Sequence, residues 1–196
     1  MEISQVVGII HMIAGGFEEN AVKCLSDHRS NVINTIHEQM YSGRDGNDKM
    51  LSPTYDDDPF FNSRGIWFGR SAAYKAWKRK IQWPHDFVLG LPERPDNVPN
   101  LFIDGTFYSQ INATVSDDAL YLDPGSGNGP AIVAKYGDAI LNMGPSAVEY
   151  FNRAFMLPAI ETFFKDCGYQ GAVIVNTSGW GRKSTASAGL PNRGPR

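Results

Sequence analysis

The sequence predicts an α+β domain in which a small, mostly antiparallel sheet packs against a long N-terminal helix and a C-terminal helix, with a long extended arm. Three observations predict this class: a helical apolar periodicity before residue 42, short strand-like runs between residues 101 and 136, and a second helical pattern after residue 145. We expect residues 1–176 to form this single domain and residues 177–196 to form a flexible basic tail.

The composition argues against several classes of protein. Of the 196 residues, 42% are hydrophobic and 20% are charged, so the chain can bury a core and differs from a disordered one. Its 18 Lys and Arg residues against 21 Asp and Glu give a net charge of −3, which argues against a strongly basic nucleic-acid binder. No run of 18 apolar residues predicts a membrane span. Two cysteines make no disulfide framework, which favours a reducing compartment.

The first part of the chain carries the clearest helical pattern. Residues 3–13 are apolar, which is compatible with a short strand or with a lead into the helix that follows. From Phe17 to about Tyr41, apolar side chains recur at helical spacing and fall on one face of a long amphipathic helix, which ends at Gly43. The residues on this face are Ala21, Leu25, Val32, Ile36 and Met40.

Residues 42–100 are interpreted as an ordered arm rather than a linker. Proline and glycine dipeptides divide this segment into turns and extended pieces, yet it is rich in aromatic residues, which disordered linkers lack. A short helix is predicted near Ser71–Ile81. We expect the arm to wrap an adjacent subunit, with its aromatic side chains packed partly on that neighbour. The predicted protein-interface residues are Tyr55, Phe60, Phe61, Trp67, Phe68, Trp77 and Trp83.

The second half of the chain predicts short strands and a closing helix. Ser146, with Glu149 three residues later, matches a capping box and opens the predicted helix. Pro158 should kink or split that helix. Strands are expected at residues 101–103, 107–115, 119–122, 131–136 and 172–175, with a turn at Asp117-Asp118 and a flexible tip at 123–130.

Motifs for catalysis, metal binding and nucleotide binding are weak. Residues 179–185 resemble a phosphate loop, but neither position where that loop needs glycine holds one. The acidic triplet at residues 56–58 lacks calcium-loop spacing and fits a solvated turn better. His28 and His37 lie nine residues apart on one predicted helix and face opposite sides, so they cannot share a metal ion. We therefore expect no enzyme activity, no catalytic residue, no metal site and no cofactor.

A cluster of cations interleaved with aromatic residues supports an alternative function. Such clusters can bind phosphates and stack bases, which indicates single-stranded nucleic-acid binding. The same pattern fits the solvated face of a short helix with Trp77 turned inward, or the contact surface of a protein partner. The predicted nucleic-acid contacts, two of them in the basic tail, are Arg70, Lys75, Lys78, Arg79, Lys80, Arg182 and Lys183.

Several short motifs follow one another in a recognisable order over about residues 15–166. They are QMYSGRDG (39–46), LSPTY (51–55), YKAWK (74–78), NLFIDGTFYS (100–109), KYGDAI (135–140) and LPAI (157–160). In this order the motifs resemble those of the tail-completion (virion-morphogenesis, head–tail connector) proteins of tailed bacteriophages and prophages.

The resemblance implies a structural virion protein. Such a subunit would be part of the neck, and would form a homo-oligomeric ring that bridges portal-side and tail-side proteins. It would be made in the bacterial host cytoplasm and reside in the virion, with other neck and tail proteins as partners and no membrane. Contact with packaged DNA is left open. The aromatic arm fits this role, because a ring subunit needs apolar area that one protomer cannot cover by itself.

Overall fold

Helices and one small hairpin make up the regular structure. The computed structural model describes residues 2–116 and 119–173, and its α+β class confirms the prediction. The predicted turn at 117–118 and the basic tail lie outside the described residues. In chain order the elements are α1 (Ile3–Asp27), α2 (Arg29–Tyr41), a 3₁₀ turn (Pro59–Asn62), α3 (Ser71–Lys78), α4 (Thr106–Gln110), β1 (Asn112–Ser116), β2 (Ala119–Asp123), α5 (Gly129–Tyr136), a second 3₁₀ turn (Asp138–Leu141), α6 (Pro145–Phe151), a π-helical turn (Asn152–Met156) and α7 (Leu157–Asp166).

The N-terminal region is helical from Ile3 onward. Residues 3–13 are therefore the lead into a helix and not a strand, because a helix pairs its own backbone groups whereas an isolated strand leaves them unpaired. The single helix predicted up to Tyr41 is two helices. They meet at His28, whose φ of −109° and ψ of 18° depart from helical geometry.

The predicted apolar face of these helices forms part of the core. Val32, Ile36 and Met40 in α2 are completely buried. Ala21 and Leu25 in α1 are half-buried and pack against the same cluster. The spacing was informative here because side chains three and four residues apart share one side of a helix.

The sheet is smaller than predicted. β1 and β2 pair antiparallel, with Asn112 opposite Asp123 and Ser116 opposite Ala119, which confirms the strand at 119–122. The strand predicted at 107–115 is wrong in its first half, since residues 106–110 form α4. The strand predicted at 101–103 is also wrong, because Leu101 has a left-handed φ of +51°, which no extended strand adopts.

Residues 131–136 form helix α5 and not the predicted third strand. Pro130 lies in the first helical turn, where its missing N–H removes no hydrogen bond. Ile132, Val133 and Tyr136 then recur at helical spacing and pack against the core. The helix begins at Gly129, so the predicted flexible tip at 123–130 is shorter than expected.

The closing helix is divided, as Pro158 predicted. A π-helical turn over Asn152–Met156 separates α6 from α7, and Pro158 lies in the first turn of α7. The predicted cap at Ser146 is wrong. The cap position is Gly144, and Pro145 opens α6 with its preset φ. Residues 172–173 are not a strand, and the rest of that predicted run lies outside the described residues.

Two adjacent polar residues of α2 connect it to distant parts of the chain. The Glu38 carboxylate accepts the backbone N–H groups of Val88 and Leu89, both at 2.8 Å. The Gln39 amide donates to the Asn142 carbonyl at 3.0 Å and accepts the Gly144 N–H at 2.7 Å. Both side chains are buried, so these bonds hold the arm and the start of α6 against α2.

Two glycines of the QMYSGRDG motif (39–46) lie where the backbone passes close to other parts of the chain. Gly43 adopts a φ of +70°, and a Cβ atom there would lie 2.7 Å from the Val98 side chain. At Gly46 a Cβ atom would lie 2.5 Å from the Asn142 side chain. Both positions therefore need glycine, because the chain passes too close to its neighbours for any side chain.

Candidate functional site

The aromatic residues of the arm pack mainly on one another. Tyr74 of α3 lies at the centre, with its ring 5.2 Å from Tyr55, 5.2 Å from Phe61, 5.0 Å from Trp67 and 5.3 Å from Trp77. The first three of these pairs are edge-to-face, an arrangement that stabilises a cluster beyond the area it buries. The arm is thus an ordered structure with a small core of its own.

This packing divides the predicted interface residues into three groups. Tyr55 and Phe61 are 5% and 6% exposed, because α3 folds back and covers them, so only a small part of either side chain is left to contact a neighbour. Trp67, Trp77 and Trp83 are half-buried. Phe60 and Phe68 remain 49% and 61% exposed.

One exposed part of the arm is the segment of residues 60–69, which we name the arm tip. Besides Phe60 and Phe68 it contains Ile66, which is 78% exposed and which the sequence interpretation did not single out. Trp83 lies elsewhere. Its ring packs 5.0 Å from Tyr41 and 5.5 Å from Phe102, in a second aromatic group beside α2.

A groove of about 420 Å³, which we name the aromatic groove, lies between the arm, residues 99–103 and α5. Asp58, buried at its edge, forms an ion pair with Lys135 of α5 and accepts the Phe60 N–H at 2.9 Å. Burial raises the pKa values of the tyrosines in its wall, so their hydroxyls stay neutral at physiological pH. The apolar side of the wall includes Phe60, Phe61, Leu101, Ile103, Ala131 and Ile132.

The predicted basic cluster is partly neutralised by acidic residues of the same chain. Lys75 pairs with Asp56 at 2.5 Å, and Arg79 pairs with Asp96. Among the predicted contacts that the structure describes, Arg70 and Lys80 are exposed and take part in no ion pair. The remaining predicted contacts, Arg182 and Lys183, lie outside the described residues. The cluster therefore presents fewer free cations than its sequence suggests.

Lys78 belongs to the interior and not to this surface. It is only 2% exposed, and its ammonium donates to the Phe102 carbonyl. Desolvation, followed by the nearby Arg94 guanidinium, lowers the pKa of Lys78 to about 7. A buried amine cannot reach a nucleic-acid phosphate, so the predicted contact at Lys78 is wrong.

The first half of α1 is a second exposed apolar surface. Residues 3–17, which we name the uncharged helix segment, contain no Lys, Arg, Asp or Glu. Ile3 is 84% exposed, Val7 46% and Ile10 56%. The sequence interpretation missed this surface, although the lack of charge over four helical turns was a visible signal. A soluble helix normally carries charge on its outer face.

Two of the histidines, His28 and His37, pack against aromatic rings. The His37 ring stacks on Tyr108 at 4.6 Å, and burial lowers the pKa of His37 to about 4, so it is neutral. The His28 ring stacks on Phe155 at 4.3 Å. The two rings have different surroundings, and His28 lies at the break between α1 and α2 rather than on one continuous helix with His37.

No family model, no curated protein and no solved structure matches this chain. Within residues 2–116 and 119–173, no group of three or more His, Cys, Asp or Glu side chains is placed to hold a metal ion. None of the helices in that part of the chain has the length and apolar character of a membrane span. The exposed apolar surfaces described above are the features from which a function can be argued.

Proposed function

We propose that this protein is a structural subunit of a tailed-phage virion, a neck or tail-completion connector that forms a ring between portal-side and tail proteins. One observation carries the proposal: within its described residues the chain exposes apolar side chains on separate elements, among them the uncharged helix segment and the arm tip. A ring needs two different, complementary surfaces on each subunit, because the contact is repeated head to tail until it closes.

The two surfaces are built on different elements. α1 packs against α7, the π-helical turn and the β1–β2 hairpin, and Ile9 lies beside Gly168 just after α7. The arm tip continues from the aromatic cluster around Tyr74 of α3. Because the two surfaces occupy different parts of the chain, the uncharged helix segment of one subunit can contact the region of the arm on the next subunit.

The motifs that carry the phage resemblance support a structural role. Gln39, Gly43 and Gly46 hold α2 to the body, as described above. Asn100 is completely buried; its carbonyl accepts the Tyr108 hydroxyl at 2.7 Å, and its side chain accepts the Phe102 N–H at 3.2 Å. These residues determine the shape of the subunit, which is what an assembly protein requires of its sequence.

The test is to measure the assembly state by native mass spectrometry and negative-stain electron microscopy over a range of protein concentrations. We expect a closed ring, and we expect the fraction of the protein in that ring to rise with protein concentration. The arm-tip double substitution Ile66→Ser with Phe68→Ser should reduce the ring without changing the thermal melting of the subunit, since both side chains are exposed.

The matched control is Tyr121→Ser, because Tyr121 is 58% exposed but lies on β2. This control should leave the ring intact. A chain that stays monomeric at its highest soluble concentration would contradict the proposal. So would a ring that the arm-tip substitutions do not weaken.

A further inference from the structure

We infer that the uncharged helix segment of one subunit docks into the aromatic groove of a second copy of this chain. The inference rests on the proposed function, since a ring needs a donor and an acceptor surface on every subunit. It goes beyond that function because it assigns the donor to the first half of α1 and the acceptor to the groove beside the arm.

The donor has the pattern of a helix that binds in a groove. Such helices present anchors at positions i, i+3, i+4 and i+7. Ile3, Val6, Val7 and Ile10 have this spacing, fall within an arc of about 100° on the helix, and are each 39% exposed or more. They form one continuous ridge, and its charged sequence neighbour is the N-cap residue Glu2 at its start.

The acceptor has the size and lining that this ridge requires. Its volume of about 420 Å³ is at the small end of ligand pockets, which suits a few aliphatic side chains. Phe60 and Ile103 in its wall are 49% and 50% exposed, so apolar area is still uncovered there. Burying that area against another apolar surface is favourable, by about 25 cal/mol per Å².

Electrostatics favours an uncharged occupant. Every charged side chain that lines the groove within the described residues already has a partner: Asp58 and Lys135 pair with each other, and Lys78 donates to a carbonyl. A nucleic acid or a charged peptide would bring a charge into this site without a counter-charge to pair with it. The segment from Ile3 to Phe17 brings no charged side chain, so donor and acceptor match.

The contact joins two copies of the chain. Among the described residues, the groove is lined by the arm, residues 99–103 and the region of α5, and not by α1, α7 or the hairpin. α1 itself packs on α7, the π-helical turn and the hairpin. The donor and the acceptor of one chain are therefore on separate elements, which is the arrangement of a head-to-tail contact.

Disulfide trapping between two differently labelled chains tests the inference. One chain carries Ile10→Cys and the other Ile103→Cys, positions that are 56% and 50% exposed, so neither change should disturb folding. Cys24 and Cys167 are buried and contribute little background. We expect the mixture, under mild oxidation, to give several-fold more inter-chain disulfide than a control mixture of Ile10→Cys with Tyr121→Cys, because only close Cβ atoms can be bridged.

The outcomes separate this inference from the proposed function. A ring of normal mass without the Ile10–Ile103 adduct would overturn the docking and leave the ring proposal standing. A main product joining two Ile10→Cys chains would overturn it in favour of α1 packing on α1. A monomer that binds phosphatidylcholine vesicles through the segment, with binding lost in Ile10→Ser, would overturn both and assign the segment to a lipid surface.

Discussion

The first half of α1 and the helix α2 are neighbours in sequence, both apolar and both helical, yet they differ in what covers them. Val32, Ile36 and Met40 of α2 are completely buried by the chain itself. Ile3 and Ile10 of α1 are 84% and 56% exposed. The difference teaches that an apolar periodicity predicts a helix face that favours burial. It does not predict whether the same chain or another molecule buries that face.

The largest expected effect comes from truncating an isoleucine on each helix. Ile36→Ala should lower the free energy of unfolding by about 2–5 kcal/mol, because it leaves a cavity in the core. Ile10→Ala should change the stability of the isolated subunit by less than about 0.5 kcal/mol, because its side chain is exposed. Urea denaturation of dilute protein measures the free energy of unfolding of both variants. Equal decreases would show that the isolated subunit buries Ile10 as well as it buries Ile36.

The next effect concerns the polar side of α2. Gln39→Leu should lower the free energy of unfolding by about 1–3 kcal/mol, because the Gly144 N–H and the Asn142 carbonyl would lose their hydrogen-bond partner in a buried site. Gln82→Leu is the matched control at an exposed position. The same denaturation experiment compares them, and a neutral Gln39→Leu would show that these bonds do not hold α6 to α2.

The buried Lys78 predicts a pH dependence of stability. Its pKa is about 7 in the folded chain and 10.5 in the unfolded chain, so between these values the unfolded state binds more protons and stability rises with pH. From pH 7 to pH 8 we expect a gain of roughly 1 kcal/mol. Lys78→Met should remove this gain, whereas the exposed Lys80→Met should retain it. If the free energy of unfolding rose equally with pH in the unaltered protein, in Lys78→Met and in Lys80→Met, the rise would not come from Lys78 and its lowered pKa would be contradicted.

The smallest effect is expected at the surface of the basic cluster. Arg79 and Asp96 pair, but both side chains are more than half exposed. Arg79→Ala should therefore change the free energy of unfolding by less than about 0.5 kcal/mol. A loss comparable with that of Gln39→Leu, measured by thermal or urea unfolding, would mean that the arm depends on this pair for its position.

Local patterns predicted several elements correctly, and their failures have physical causes. The α2 face, the short helix at α3, the strand β2 and the division near Pro158 all follow from spacing or from proline stereochemistry. The strand expected at 131–136 failed because short apolar runs fit a strand or a helix equally well. The strand expected at 101–103 failed because Leu101 adopts a left-handed φ of +51°, which its apolar pattern does not reveal.

The candidate surfaces could be predicted only in part. The aromatic richness of the arm was visible, and Phe60 and Phe68 are indeed exposed. The burial of Tyr55 and Phe61 was not visible, because it depends on Tyr74 of α3 folding back over them. Likewise, nothing in its sequence neighbourhood separates the buried Lys78 from the exposed Lys80.

The amino-acid sequence by itself determined the helical faces, the glycines that the turn after α2 requires, and the amount of apolar surface to be covered, because these depend on residues close together in the chain. Only the tertiary structure decided which of that surface is covered internally, which cations are paired, and that an uncharged helix and an aromatic groove lie on separate elements. The reason is that burial and pairing depend on distances between segments as remote as α2 and Asn142, which no local pattern encodes.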